Sequence, residues 1–121
     1  PLASGLLTGK YVQDVSFPAD DIRSQIADFK QPRYGKILAA VDQVRPIADR
    51  HGATVAQTIL AWYLQNQLIT AVIPGAKRAD QVISNAQAMN IQLTAEEYQT
   101  IETAFADFKA NKSGKSLKDP D

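Results

Sequence analysis

Cysteine is absent from all 121 residues of the chain. That excludes a disulfide framework, a thiolate nucleophile and a Cys-based metal site. Histidine, tryptophan and methionine occur once each, and no group of side chains has metal-ligand spacing. An excess of either charge is also missing. Thirteen Lys and Arg balance thirteen Asp and Glu, so neither a nucleic acid nor another polyanion has electrostatic support as a partner. No apolar run approaches the roughly 20 residues of a membrane-spanning helix, and the longest candidate, residues 59–64, reads as helix core. The start lacks a basic-then-apolar leader and opens at Pro1 without methionine. It reads as a truncated or proteolysed start rather than a secreted one. A cytoplasmic setting is the expectation. The chain also holds too few reactive side chains for a complete enzyme.

What is present falls into a clear order. Residues 1–11 form a loop of glycines and small residues, and residues 12–35 are irregular, broken by Pro18, Pro32 and Gly35. A short helix is expected near residues 20–29. So long an ordered connection is often functional. Over residues 36–50, Ile37, Leu38, Val41, Val44, Ile47 and Ala48 follow a helical period. Pro46 is expected to kink or divide that helix, and Gly52 to close it in a left-handed conformation. Thr54 with Gln57 is a capping-box pattern. It opens a second helix to about residue 66, apolar on most faces and so packed on more than one side.

Residues 69–73 are β-branched and apolar on both faces, the pattern of a buried parallel strand. Pro74 and Gly75 end it, and a helix is expected from Ala79 to about Met89. Thr94 with Glu97 is a second capping box, opening a helix to about Phe108. Residues 1–110 read as the folded part and residues 111–121 as a loose polar tail. A lone apolar strand with bare edges is unstable. The sequence therefore asks for strands that this chain does not contain.

The junction at residues 73–85 is the most informative stretch. A strand end, a tight turn and a helix start carry Lys77 and Arg78. Unpaired N–H groups and the helix dipole already favour an anion there, and two cations suit a phosphate. Gln81 and Asn85 lie one turn apart, so both can face one ligand. Against this stands the plain reading of surface cations beside a common junction. Residues 5–11, Gly-Leu-Leu-Thr-Gly-Lys-Tyr, fail as a P-loop. Three residues separate the glycines instead of four, and Tyr11 follows the lysine instead of Ser or Thr. His51, at a helix C-terminus, suits the dipole and reads as structural. Tyr63 and Tyr98 read as packing, and Tyr11 and Tyr34 lack an obvious base or lysine partner. Asp20 and Asp21 are adjacent and point apart, as in a solvated turn.

Three separated motifs together resemble the C-terminal part of the aldo-keto reductases, most closely the bacterial-type branch that includes the potassium-channel β-subunits. They are Pro-Leu-Ala-Ser-Gly-Leu-Leu-Thr-Gly-Lys-Tyr at 1–11, Ala-Thr-Val-Ala-Gln with Ala-Trp-Tyr-Leu at 53–64, and Ile-Pro-Gly-Ala-Lys-Arg-Ala-Asp-Gln-Val with Asn85 at 73–85. The resemblance implies an α/β fold, the last portion of a (β/α)8 TIM barrel. Residues 69–73 would be its eighth strand, and the loops after strands seven and eight would bind phosphate.

The resemblance also implies roles. Pro1, Leu2, Ala3 and Ser4 match the segment along the nicotinamide and pyrophosphate of NADP. Lys10 and Arg23 match basic positions of the loop that folds over the dinucleotide. Gly75 and Lys77 match the turn at the adenosine 2′-phosphate, with Arg78 assisting, while Gln81 and Asn85 match positions at the adenosine end. Ser84 is a departure, since the family usually has Glu there. The family's catalytic Asp, Tyr, Lys and His do not map into this chain, so it is expected to be inactive alone. The parent would be an NADP-dependent reductase of aldehydes or ketones, completed by the remaining N-terminal barrel strands. The alternative is a non-catalytic, redox-sensing NADP-binding subunit of the same fold.

Overall fold

A computed structural model describes residues 1–108. The polar tail expected at residues 111–121, and the expected domain end at 110, lie outside the described residues. Four α-helices carry the fold: α1 (Arg33–Arg50), α2 (Val55–Gln65), α3 (Ala79–Ala86) and α4 (Ala95–Ala104). Single 3-10 turns punctuate them at Leu6–Thr8, Ile22–Gln25, Ala27–Phe29, Gln87–Asn90 and Ala106–Phe108.

The local signals act as the chemistry requires. Thr54 accepts from the Gln57 N–H at 3.1 Å while Gln57 Oε1 accepts from the Thr54 N–H at 3.0 Å. Thr94 and Glu97 repeat that reciprocal pairing at the start of α4. Each box satisfies two of the otherwise orphaned donors of its helix. Gly52 takes the left-handed conformation, φ 59°, just past the end of α1.

The core lies where α1, α2 and α4 meet. Val44, Ile59 and Ile101 are fully buried in it, from one helix each. Burial of such a side chain contributes roughly 1.5–3 kcal/mol. Polar groups lock the far end of α2. Trp62 Nε1 donates to Glu102 Oε1 at 3.0 Å. The Gln65 carboxamide exchanges two hydrogen bonds with the backbone of Leu93.

Three expectations are corrected. Pro46 does not divide the first helix, which runs unbroken from Arg33 to Arg50. Val44 and Ile47, buried on either side of the exposed proline, hold it on the core. Near residues 20–29 there are two 3-10 turns instead of one helix. The third concerns the strand. Residues 69–73 have no strand assignment, and the described residues contain no β-ladder. Ile73 is 87 % exposed. A ladder requires a second strand to accept and donate its backbone bonds, and no partner segment is present among the described residues.

Candidate cofactor-binding site

The first candidate segment is shaped by backbone. Ala3 (φ 50°), Ser4 (φ 55°) and Gly5 (φ 88°) are consecutively left-handed. Non-glycine residues adopt that conformation at a cost and cluster at functional sites. The turn is held by N–H donation from Gly5 to Leu2 O, from Leu6 to Ala3 O and from Leu7 to Leu2 O, at 3.0–3.2 Å. Leu6 and Leu7 are buried beneath it and anchor it to the core. Leu2 is half-buried against that core, while Pro1, Ala3 and Ser4 are exposed. Arg45 of α1 donates to Gly9 O at 2.9 Å and fixes the end of the segment, leaving Lys10 exposed.

The second is the turn into α3. Gln81 folds back on it, its Oε1 accepting from the Lys77 N–H at 2.7 Å and the Arg78 N–H at 3.3 Å. Arg78 is engaged with Asp80 at 3.0 Å on an exposed surface. That hydrogen bond holds the Asp80 carboxyl below its ordinary range. Lys77 is exposed and forms no ion pair among the described residues. A Cβ built on Gly75 meets nothing within 4 Å. An open backbone face beside an uncommitted ammonium group fits a phosphate-bearing ligand. Of the two cations, Lys77 is the free one.

Arg23 is placed differently from Lys77. Its guanidinium makes a paired contact with Asp21, donates to Tyr11 Oη at 2.7 Å and lies over the Phe17 ring, 4.4 Å from the centroid. The hydrogen bonds with Arg23 hold Asp21 down at about 2, and the same contacts push Arg23 up.

Two apolar hollows divide the candidates. A cleft of about 350 Å³ takes Pro1 and Ala3 together with Trp62, Tyr63, Ile69 and Phe105. A hollow of about 280 Å³ takes Asn85 with Leu60, Leu64, Val72, Pro74 and Val82. Pro1 and Ala3 thus line the first hollow, and Ala76 of the turn at 75–78 lines the second. The first borders α2 at Trp62 and Tyr63, the second at Leu60 and Leu64.

Some partnerships were not legible from spacing. Gln57 reaches Ser84, donating to its carbonyl at 2.9 Å and its hydroxyl at 3.2 Å. Ser84, the departure noted in sequence, thus ties α3 to α2. His51 Nε2 meets Glu97 Oε1 at 2.9 Å, which agrees with its structural reading. Burial pushes Glu97 up, but the Thr94 N–H, His51 and Arg50 outweigh it and hold the carboxyl at about 2. Tyr63 is half-buried, and burial pushes its phenol up.

A shell of helices packed on one another, with an apolar connection that has no sheet to join among the described residues, fits one part of a (β/α)8 barrel enzyme. The chain belongs to the aldo/keto reductase family, whose family model matches residues 1–106. It is 40% identical over 97 residues to aldo-keto reductase str7 of Strobilurus tenacellus, covering 80% of this chain and 29% of that protein. It is 37% identical over 95 residues to a probable voltage-gated potassium channel subunit beta of Arabidopsis thaliana, covering 75% and 28%. Its fold is similar to the glycerol dehydrogenase AKR11B4 from Gluconobacter oxydans, with TM-score 0.76 and 34% identity, over 88% of this chain and 32% of that one. The chain thus spans about a third of the length of these relatives. No helix among the described residues is long and apolar enough to cross a membrane.

Proposed function

We propose that the chain is the cofactor-clamping, C-terminal part of a cytoplasmic NADP-dependent oxidoreductase that reduces aldehydes or ketones. The observation that carries this reading is the free ammonium of Lys77 beside the open backbone face at Gly75. Membership of a reductase family supports it. Lys77 binds the 2′-phosphate, with Arg78 in a lesser role because Asp80 already neutralises it. Gln81 orders the turn, and Asn85 faces the adenosine end. The left-handed turn at residues 3–5, with Pro1 and Leu2, lies along the nicotinamide and pyrophosphate, while Lys10 and Arg23 belong to the covering loop. When bound, the cofactor supplies the hydride that passes to the carbonyl carbon. The remaining barrel strands of the parent complete the fold against residues 69–73 and bring the acid–base groups. The chain alone has no reductase activity; turnover of a simple aldehyde by the purified chain overturns that part.

The test is a titration of NADPH and NADH into the complete protein and its Lys77→Glu variant. Loss of one charged hydrogen bond weakens binding by about 1.5–3 kcal/mol, roughly tenfold to a hundredfold. The introduced like charge adds to it. NADPH binding falls by at least that much and NADH binding changes little. Equal weakening of both removes Lys77 from the phosphate. The resemblance to a potassium channel subunit beta favours one second reading, a redox-sensing subunit that holds NADP without turnover. Aldehyde-dependent oxidation of NADPH by the complete protein separates the two.

A further inference from the structure

Family resemblance assigns Arg23 to the surface that meets the dinucleotide, yet its guanidinium is already committed within the chain. Both carboxylate oxygens of Asp21 accept from its Nε, and Oδ2 also accepts from Nη2. Nη1 donates to Tyr11 Oη, and one face of the group lies against Phe17. Asp21 is itself fixed as the cap of the 3-10 turn, accepting from the Arg23 N–H at 2.9 Å. The far side of the cluster is equally tied. Tyr11, Phe17 and Phe29 meet edge to face with centroids 5.1–6.0 Å apart. Phe29 stacks on the buried Tyr34, whose hydroxyl donates to Val12 O at 2.6 Å. Tyr11, Phe17, Phe29 and Tyr34 thus form one run of ring contacts beside the Arg23 guanidinium. This cluster also touches the left-handed turn. A Cβ on Gly5 lies 3.6 Å from both Cε2 and Oη of Tyr11. The phenol that accepts from Arg23 therefore backs directly onto the turn formed by Ala3, Ser4 and Gly5.

We propose that Arg23 is a positioning residue, which with Asp21 and Tyr11 forms a clasp that fixes the left-handed turn at residues 3–5, and that it is not a phosphate ligand. A guanidinium held by a carboxylate through paired hydrogen bonds and covered by an aromatic ring has lost most of what a phosphate would recruit. Its remaining effect passes through the Tyr11 ring to the turn. The clasp deepens the nucleotide-binding reading above and rests on it for the affinity test alone.

The experiment uses the complete protein with Asp21→Asn, Arg23→Lys and Tyr11→Phe. The last keeps the ring and removes only the acceptor. Hydrogen exchange without nucleotide is read at the amides of Gly5, Leu6 and Leu7, whose bonds close the turn. All three variants speed that exchange while α1 and α2 stay protected. NADPH and NADH binding weaken together in every variant, by about two- to tenfold, the worth of one hydrogen bond. The sign of the Asp21→Asn effect decides between the roles. If Asp21 merely competes with a phosphate for Arg23, its removal tightens NADPH relative to NADH, and the clasp is wrong. Unchanged exchange at the turn in Tyr11→Phe overturns it as well. If the wild-type protein binds neither nucleotide, the reading of function fails, while the exchange measurement still decides the clasp.

Discussion

The two sides of α2 are built from the same kind of residue and end in opposite states. Toward α1 and α4, apolar side chains such as Val44, Ile59 and Ile101 are fully buried, and the buried carboxylate Glu97 meets Arg50 and His51. Toward residues 66–86, Leu68 and Ile73 stand almost wholly in solvent, α3 contains no buried residue, and the ion pair between Arg78 and Asp80 is exposed. Hydrophobicity is as high in the open region as in the packed one. The difference lies in whether a partner surface exists among the described residues, so apolar sequence reports an intended contact and not an achieved one.

The largest expected effect tests that contrast directly. Ile59→Ala removes a fully buried side chain and lowers stability by about 2–5 kcal/mol in denaturant unfolding. Ile73→Ala in the same 121-residue chain stays within about 0.5 kcal/mol. A large loss at Ile73 breaks the comparison, because it shows a partner within the chain. In the complete barrel proposed above, Ile73→Ala costs as much as a core truncation.

Next in size is the ionic counterpart. Glu97→Ala removes the acceptor of the Thr94 N–H and leaves Arg50 and His51 without it, costing about 1.5–3 kcal/mol. Asp80→Asn, at an exposed pair screened by solvent, leaves the denaturant midpoint unchanged. The pH dependence follows from the folded value. Glu97 is held at about 2 against an ordinary 4.5. A depressed carboxyl stabilises the fold fully above the ordinary value, and the contribution is lost as pH falls from 4.5 through about 2. Acid unfolding followed by circular dichroism therefore loses part of its slope in Glu97→Gln.

The smallest pair concerns two glycines. At Gly9, φ is 78° and a Cβ lies 3.2 Å from Val55 side-chain atoms, so Gly9→Ala costs about 1–2 kcal/mol. Gly75→Ala meets open space and shifts the thermal midpoint negligibly. Weaker nucleotide binding by that same variant in the complete protein would show that the open face serves the ligand.

Local signals were legible in the sequence because their causes are local. Thr54 with Gln57, Thr94 with Glu97 and the left-handed Gly52 each act within one or two turns of chain. The apolar period of α1 was equally readable, and its failure to break at Pro46 needed the buried neighbours on either side. Residues 69–73 carry a strand's composition without a strand's partner, so composition alone misplaced them. At the candidate site, the exposed position of Lys77 just before α3 was readable. The clasp was not, because Tyr11 and Arg23 lie 12 residues apart across a loop without periodicity.

Gln57 has a consequence for substitution. Its oxygen starts α2 by accepting from Thr54, while its nitrogen holds the Ser84 carbonyl and the Gln87 side chain at the end of α3. Two instructions, where a helix begins and which helix lies beside it, are thus written in one carboxamide. Glutamate repeats only the first, since it accepts and cannot donate when ionised. Lysine repeats only the second. A change that conserves size or helix preference therefore erases half the message, and asparagine, one methylene shorter, falls short of both ends at once.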